Sequence, residues 1–156
     1  MDASAAARIS FRMNIALGSD MPGELPEALG RWLDRHGHAI TRFGALSTGA
    51  EGPWPGVARD VGEAVARGEA DYGILCCWTG TGVSIAANKV AGVRAALCGD
   101  APTAAGAREW NDANVLCLSL RATAPAIGEE ILAAWFAAGP TKDPAYRAMI
   151  DEVRNR

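Results

Sequence analysis

A cysteine stands directly before a run of glycines and threonines in the middle of the chain. The segment reads Cys77-Trp78-Thr79-Gly80-Thr81-Gly82-Val83-Ser84. Glycine lets the backbone approach a ligand closely, and successive N–H groups at a helix start bind anions. The same helix end lowers the pKa of a nearby thiol, and a shift from roughly 8.5 to 7 would raise its thiolate share at neutral pH to about half. Cys77 is therefore a candidate base for proton abstraction beside an anion-binding turn.

A structural interpretation of the same segment stays open. Cys77 would then be a small buried hydrophobic residue, and the glycines would only make a tight turn. A dinucleotide-binding site is disfavoured, because Gly80-Thr81-Gly82 follows the third predicted strand rather than the first and the chain contains no GxGxxG motif.

Apolar runs alternate with helical periodicity along the chain and predict the elements that position these residues. The predicted strands are Met13–Gly18, Ala39–Phe43, Tyr72–Cys77, Val93–Cys98 and Val115–Leu120. The predicted helices are Pro22–Arg35, Pro55–Arg67, Val83–Lys89, Thr103–Trp110, Ala124–Ala138 and Pro144–Arg154. The strands lack polar alternation, which is typical of parallel strands buried on both faces. The order predicts a single α/β domain over residues 13–156, a Rossmann-like three-layer α/β/α sandwich with a five-stranded parallel sheet.

Ligands of such folds bind outside the carboxyl ends of the strands. The loops expected there are Gly18–Gly23, Phe43–Pro55, Cys77–Ser84, Gly99–Thr103 and Leu120–Pro125. The two histidines, His36 and His38, lie between the first predicted helix and the second predicted strand. We therefore expect both at the opposite, amino-terminal edge of the sheet.

Composition narrows the class of protein. The 156 residues are 49% hydrophobic and 21% charged, with a net charge of −3, so they can bury a core but carry no basic stripe for nucleic acid. No apolar run approaches the roughly 20 residues needed to span a bilayer. Residues 1–12 are Ala-rich, lack the continuous apolar stretch of a secretory signal, and are predicted to be a disordered leader.

The four cysteines favour a soluble, cytoplasmic protein. Cys76, Cys77, Cys98 and Cys117 lie in apolar runs rather than at positions where disulfides staple loops. The chain has no CxxC pair and no Cys/His cluster, so a structural zinc site is not expected.

Several segments resemble the ribose-5-phosphate isomerase B and galactose-6-phosphate isomerase family. They are Gly73–Lys89, Gly92–Cys98, Arg108–Leu116 and Gly18-Ser19-Asp20. The resemblance runs from about Met13 to the C-terminus and identifies a divergent member of this sugar-phosphate isomerase family. It implies an intramolecular oxidoreductase of carbohydrate metabolism that interconverts an aldose and a ketose phosphate, such as a pentose phosphate, through a cis-enediolate.

The resemblance also implies how the site is assembled. It indicates no metal and no cofactor, and a homodimer or homotetramer with sites at the subunit interface. The residues assigned to catalysis are Cys77 as the base, Thr79 and Asp20. The residues assigned to substrate binding are Trp54, Trp78, Gly80, Thr81, Gly82, Ser84, Trp110, Asn111 and Arg147. In the family, arginines near the C-terminus of the neighbouring subunit hold the phosphate; Arg147 falls on one of these positions, and the other reads closer to Asp143.

Departures from the family pattern bear on the substrate. Met21 and Trp110 stand where the family has histidines, and the second of these is credited with opening the sugar ring. Trp78 stands where the family has glycine, and Trp54 stands where the family commonly has tyrosine. A four-carbon sugar 4-phosphate cannot close a five-membered ring through its phosphorylated oxygen, so a tetrose phosphate is the predicted substrate and a pentose phosphate the close rival. The alternative is an isomerase-fold protein that binds or transforms a non-phosphorylated or aromatic ligand, since tryptophans stack on rings.

Overall fold

Five strands and seven helices alternate along residues 11–156, the range that the computed structural model describes. The strands are β1 (Asn14–Ser19), β2 (Ala39–Gly44), β3 (Tyr72–Cys77), β4 (Ala95–Leu97) and β5 (Val115–Ser119). The helices are α1 (Glu24–Arg35), α2 (Ala45–Thr48), α3 (Trp54–Ala66), α4 (Thr81–Ala87), α5 (Ala101–Asn111), α6 (Pro125–Ala137) and α7 (Pro144–Arg154). Within this range no helix is long and apolar enough to cross a membrane. Residues 1–10 of the predicted leader lie outside the described residues.

The five strands are all parallel and follow the order β2-β1-β3-β5-β4. On one face of the sheet α1, α5 and α6 bury side chains such as Leu29, Ala107 and Trp135. On the other face α3 and α4 bury side chains such as Val61 and Val83. The predicted three-layer α/β/α sandwich is therefore confirmed, since each face of the sheet is covered by helices.

The expectation that every strand is buried on both faces is wrong for the two edge strands. Thr41 and Arg42 of β2 are exposed, and Leu97 of β4 is 41% exposed. An edge strand pairs on one side only, and an apolar run does not reveal where in the sheet a strand will lie. The β4 edge thus presents apolar surface to solvent.

The fourth strand is shorter than the predicted span of Val93–Cys98. The backbone N–H of Arg94 donates to Asn114 Oδ1 at 2.7 Å. This side chain replaces the strand partner, so parallel pairing with β5 begins only at Ala95.

Helices α4 and α5 each begin two residues earlier than predicted, and one short helix was not predicted. Helix α5 begins at Ala101 rather than Thr103, because the Asp100 carboxylate accepts from the Thr103 N–H at 2.7 Å and caps the first turn. Helix α4 begins at Thr81 rather than Val83, directly after a left-handed glycine. The short α2 was missed because its four residues lie inside a predicted loop and are too few for a periodic pattern.

Both histidines lie at the amino-terminal edge of the sheet, as predicted. His38 Nδ1 accepts from the N–H of Met13, just before β1, at 3.3 Å. Its ring stacks on Phe136 with the ring centroids 4.7 Å apart, and the His36 ring stacks on Trp32 at 3.7 Å. Burial lowers the pKa of His38, and the neighbouring His36 lowers it further. These contacts serve the packing of α1 against α6.

A close approach at Gly44 brings the end of β2 against the end of β1. Gly44 has a φ of 63°, which favours glycine. A Cβ at this position would overlap the carbonyl oxygen of Ser19 and lie 2.6 Å from a Val57 methyl group. Glycine is therefore required here by both conformation and space.

Substitution G44A is expected to lower the free energy of unfolding by about 2–5 kcal/mol, because it adds left-handed strain to overpacking. The matched control is G49A, where φ is 78° and nothing lies within 4 Å of the added Cβ. That variant should lose only about 1–2 kcal/mol, from strain alone. Urea denaturation measures both, and equal losses would contradict the steric requirement at Gly44.

Candidate functional site

The turn after β3 is shaped by one glycine. Gly80 has a φ of 76° and precedes the first residue of α4. A Cβ there would lie 2.9 Å from the carbonyl carbon of Leu118 and still closer to Leu97. The first N–H groups of a helix lack acceptors within it and face outward from its start. The backbone from Gly80 onward therefore has the form that binds an anionic oxygen.

Cys77 differs from the other three cysteines in its surroundings. Its side chain lies on the face of the sheet that α3 and α4 cover and is 5% exposed, whereas the other three are 0–1% exposed. Burial raises the pKa of Cys98 to about 11. Burial also raises the pKa values of Cys76 and Cys117. Burial therefore makes those three thiols poor bases at neutral pH, and Cys77 is the thiol next to the turn.

Asp20 directly follows β1 at the carboxyl edge of the sheet, next to the end of β3. Ser19 pairs with Cys76 in the sheet, and the N–H of Asp20 donates to the Cys76 carbonyl at 3.4 Å. The Asp20 side chain is 7% exposed, and its Oδ1 has no hydrogen-bond partner among residues 11–156. Burial raises the pKa of this carboxyl, and the nearby charge of Glu51 raises it too. A buried carboxyl with a vacant oxygen is suited to exchanging a proton with a ligand.

The three hydroxyl residues predicted in the site do not all lie at the turn. Thr79 Oγ1 and Thr81 Oγ1 hydrogen-bond each other at 2.7 Å on the exposed side. Ser84, also predicted to bind substrate, lies within α4. Burial raises the pKa of the Cys117 thiol, and the Ser84 side chain lowers it slightly. The two threonines thus lie at the turn itself, and Ser84 lies further along the helix.

Two of the tryptophans lie near the turn. The Trp54 ring packs on Gly82, where an added Cβ would be 3.0 Å from the ring. Trp78 lines a cavity between the loop that follows β1 and the loop that follows β5, together with Met21 and Leu120. Both side chains are about half exposed, at 42% and 55%. They can contact a ligand held at the turn from two sides.

Trp110, Asn111 and Arg147 do not join this group within one chain. Helix α5 runs from the carboxyl end of β4 back to the amino end of β5, so its last residues lie at the edge opposite Cys77. Trp110 and Asn111 line a groove between β4, α5 and α7. Arg147 lines a small cavity with Asp112 at the end of α5. The predicted site residues thus form two separate groups.

Arg121 was missed by sequence reasoning. Its N–H donates to the Trp78 carbonyl at 3.0 Å, which places it next to the turn. It is the one cation in the loops that follow the carboxyl ends of the five strands, against the acids Asp20, Glu51 and Asp100. The sequence signal that could have identified Arg121 is its position in Leu120–Pro125, one of the loops expected at the carboxyl ends of the strands. Among residues 11–156, no three His, Cys, Asp or Glu side chains come together as metal ligands.

The model of the family described as Ribose/Galactose Isomerase matches residues 15–152. The chain belongs to this family. The predicted family and enzyme class, sugar-phosphate aldose–ketose isomerases, are confirmed.

Relatives in this family differ in the sugar phosphate that their names give. The chain is 37% identical over 124 residues to the D-erythrulose-4-phosphate isomerase of Pectobacterium atrosepticum, which covers 79% of this chain and 82% of the relative. It is 35% identical over 124 residues to the ribose-5-P isomerase B of Listeria innocua, which covers 79% and 83%. The solved structure of Clostridium thermocellum ribose-5-phosphate isomerase B superimposes with a TM-score of 0.85 at 35% identity, covering 92% of this chain and 96% of that one.

Proposed function

We propose that the protein is an aldose–ketose isomerase for a small sugar phosphate and that Cys77 is its base. The observation that carries this proposal is the juxtaposition of the Cys77 thiol, the unpartnered Asp20 carboxyl and the glycine turn at the carboxyl edge of a parallel sheet. A base, a proton-exchanging group and an anion site are what isomerisation through an enediolate requires.

The mechanism moves one proton between carbons and one between oxygens. The Cys77 thiolate removes the proton from the carbon next to the carbonyl, and the N–H groups from Thr79 to Gly82 stabilise the enediolate oxygens. Asp20 and the Thr79 hydroxyl transfer the proton between these oxygens, and the thiol returns its proton to the neighbouring carbon. A raised pKa keeps a larger share of Asp20 protonated at neutral pH, as proton donation requires.

Serine at position 77 should remove most of the turnover. Substitution C77S is expected to lower kcat at least about a hundredfold, because a serine hydroxyl is a far weaker base than a thiolate. Stabilisation of the folded protein by inorganic phosphate should stay unchanged. The matched control is C98S, which removes a thiol whose one hydrogen bond, to the Ala96 carbonyl, a serine can keep. A C77S enzyme with more than half of the wild-type kcat would contradict the cysteine mechanism.

The predicted substrate is a tetrose 4-phosphate. Trp110 in place of the ring-opening histidine favours a sugar that is already open, and the half-exposed Trp54 and Trp78 leave less room for a longer chain.

A coupled assay should therefore give a kcat/KM for erythrose or erythrulose 4-phosphate at least about tenfold above that for ribose 5-phosphate. A preference for ribose 5-phosphate would refute the short-substrate proposal but not isomerisation. Thermal stabilisation by aromatic or neutral ligands alone, without phosphates, would instead support the non-phosphorylated alternative.

We further propose a homodimer in which each site combines two chains. The carboxyl-edge loops of one chain carry a single cation against three acids, which is a poor environment for a phosphate dianion. The apolar side chains of the β4, α5 and α7 surface that remain exposed are Leu97, Trp110, Met149 and Val153, at 41–59%. Exposed apolar surface of this kind is typical of an interface. Pairing two copies through it would bring Asn111 and Arg147 of the partner subunit to the turn.

Mixing two inactive variants tests this arrangement. C77S and R147A each damage both sites of their own homodimer. In a mixed dimer one site keeps Cys77 from one chain and Arg147 from the other, so unfolding and refolding an equal mixture should restore about a quarter of wild-type activity. Activity no higher than the average of the two parents would show that Cys77 and Arg147 do not meet across an interface.

A further inference from the structure

Asp112 directly follows α5 and joins three arginines from different parts of the chain. Its carboxylate contacts Arg108 at 3.2 Å and Arg94 at 3.5 Å, and it also pairs with Arg154 of α7. Its φ of 46° is the one positive value among the non-glycine residues of 11–156. A non-glycine residue keeps such a conformation when its surroundings hold it.

Two of these arginines have other acceptors, and the third does not. Arg108 also donates to the carbonyl of Ala113 at 2.7 Å and to Tyr72 Oη at 2.6 Å. Arg94 also donates to the backbone carbonyl of Asp112 at 2.7 Å and to that of Gly92 at 3.2 Å. Neither arginine therefore depends on the Asp112 carboxylate alone.

Arg154 is in a different position. Among the described residues its other partner is Asp151, at 3.6 Å in the same helix. The Asp112 carboxylate is thus its one partner outside α7 within residues 11–156, and losing that carboxylate would release Arg154.

Helix α7 is attached to the rest of the chain at few points. Before it begins, the N–H of Thr141 donates to the Glu109 carbonyl at 2.8 Å. In its middle Ile150 is the one residue of α7 classed as buried, and in its last turn Arg154 meets Asp112. Within a single chain the other large apolar side chains of α7, Tyr146, Met149 and Val153, are 41–59% exposed, and Met149 and Val153 belong to the proposed subunit interface. Arg147 therefore lies between the first attachment and the last.

We infer that Asp112 is a positioning residue that holds Arg147 of α7 in a fixed relation to Asn111 of α5. This rests on the proposed function, in which Asn111 and Arg147 reach the turn of the partner subunit, Asn111 to bind the substrate and Arg147 to bind its phosphate. Asp112 itself touches no substrate and acts through the ion pair with Arg154. We call this contact the Asp112 clasp.

Removing the negative charge leaves three cations facing one another. Burial lowers the pKa of Arg94, Asp112 raises it, and the charges of Arg154 and Arg108 lower it. The cations are thus close enough to act on one another. The Arg154 side chain is 46% exposed and can move into solvent, whereas that of Arg108 is 5% exposed and cannot. Arg154 lines the same small cavity as Asp112 and Arg147, so the wall of α7 that carries both arginines is the part that gives way.

Substitution D112N removes the charge of residue 112 and leaves its backbone conformation unchanged. Asparagine tolerates the left-handed region as aspartate does, and it has nearly the same shape. Hydrogen–deuterium exchange in residues 147–154 should become about tenfold faster, which is the loss expected for a charge-assisted hydrogen bond. KM for the sugar phosphate should rise about tenfold, because Arg147 loses its position, while kcat stays within about twofold.

The matched control is D151N. It removes the other carboxylate next to Arg154, by the same chemical change and from the same helix, but leaves the clasp intact. Neither exchange in α7 nor KM should change. R154L should reproduce the D112N effect, and D112N in the R154L background should add little, since the two residues act as a pair.

The outcomes separate the clasp from the proposed function. Unchanged exchange in D112N overturns the clasp, whatever the activity. Faster exchange with an unchanged KM overturns its link to phosphate binding. A D112N variant in which kcat falls, KM rises and the melting temperature falls together would indicate a merely structural role for Asp112 and overturn the positioning role. If the wild-type protein isomerises no sugar phosphate, the proposed function fails, and the exchange measurements still decide whether the clasp exists.

Discussion

The pairing of β1 with β3 decides where chemistry can occur in this protein. Ser19 pairs with Cys76, so Asp20, the first residue after β1, lies at the same level of the sheet as Cys77, the last residue of β3. Side chains alternate between faces along a strand, and a slip of one residue would turn the thiol toward the opposite helical layer. Both faces of the central strands are packed, and a slip would exchange the side chains that fit each helical layer. The site is therefore a consequence of the register, and the glycine turn adds its N–H groups to a geometry already set.

The path of α5 separates the residues that the family pattern unites. A right-handed crossover must return the chain to the amino edge before the next parallel strand begins. Asn111, at the end of α5, is carried there by the same connection that builds the sheet. A single copy of this fold thus has the proposed base at one edge and the proposed substrate-binding residues Asn111 and Arg147 at the other. Symmetry offers a direct way to bring them together, since within the shared patch of a two-fold interface a residue of one subunit contacts a different residue of its partner, and the contact occurs twice.

The fold was predictable where local and global signals agree. The run Tyr72–Cys77 is apolar throughout and bounded by a turn, and it forms a central strand as expected. The short span of β4 was not predictable, because an amide side chain far along the chain, that of Asn114, takes the place of a strand partner. The edge position of β2 depends on strand order, which no local pattern contains.

The candidate site, like the fold, could be predicted from the sequence only in part. The sequence placed Cys77, Asp20 and the turn correctly at the carboxyl edge, because each follows directly from the end of a strand. It did not find Glu51 beside Asp20, nor Arg154 beside Asp112, since these contacts join segments that are distant along the chain. Contacts of this kind are made by tertiary packing, so no local sequence pattern reveals them.

The requirement for glycine at position 44 also limits which parts of this fold can vary in sequence. No side chain fits beside the Ser19 carbonyl, so only glycine can occupy position 44 where the ends of β1 and β2 meet. Residues further along the same connection, such as Glu51 and Trp54, project from exposed backbone and carry no such restriction. Variation in ligand preference can accumulate in this connection while the framework beneath it stays constant. A mutational library should follow the same rule, randomising the outer positions and leaving the glycine alone.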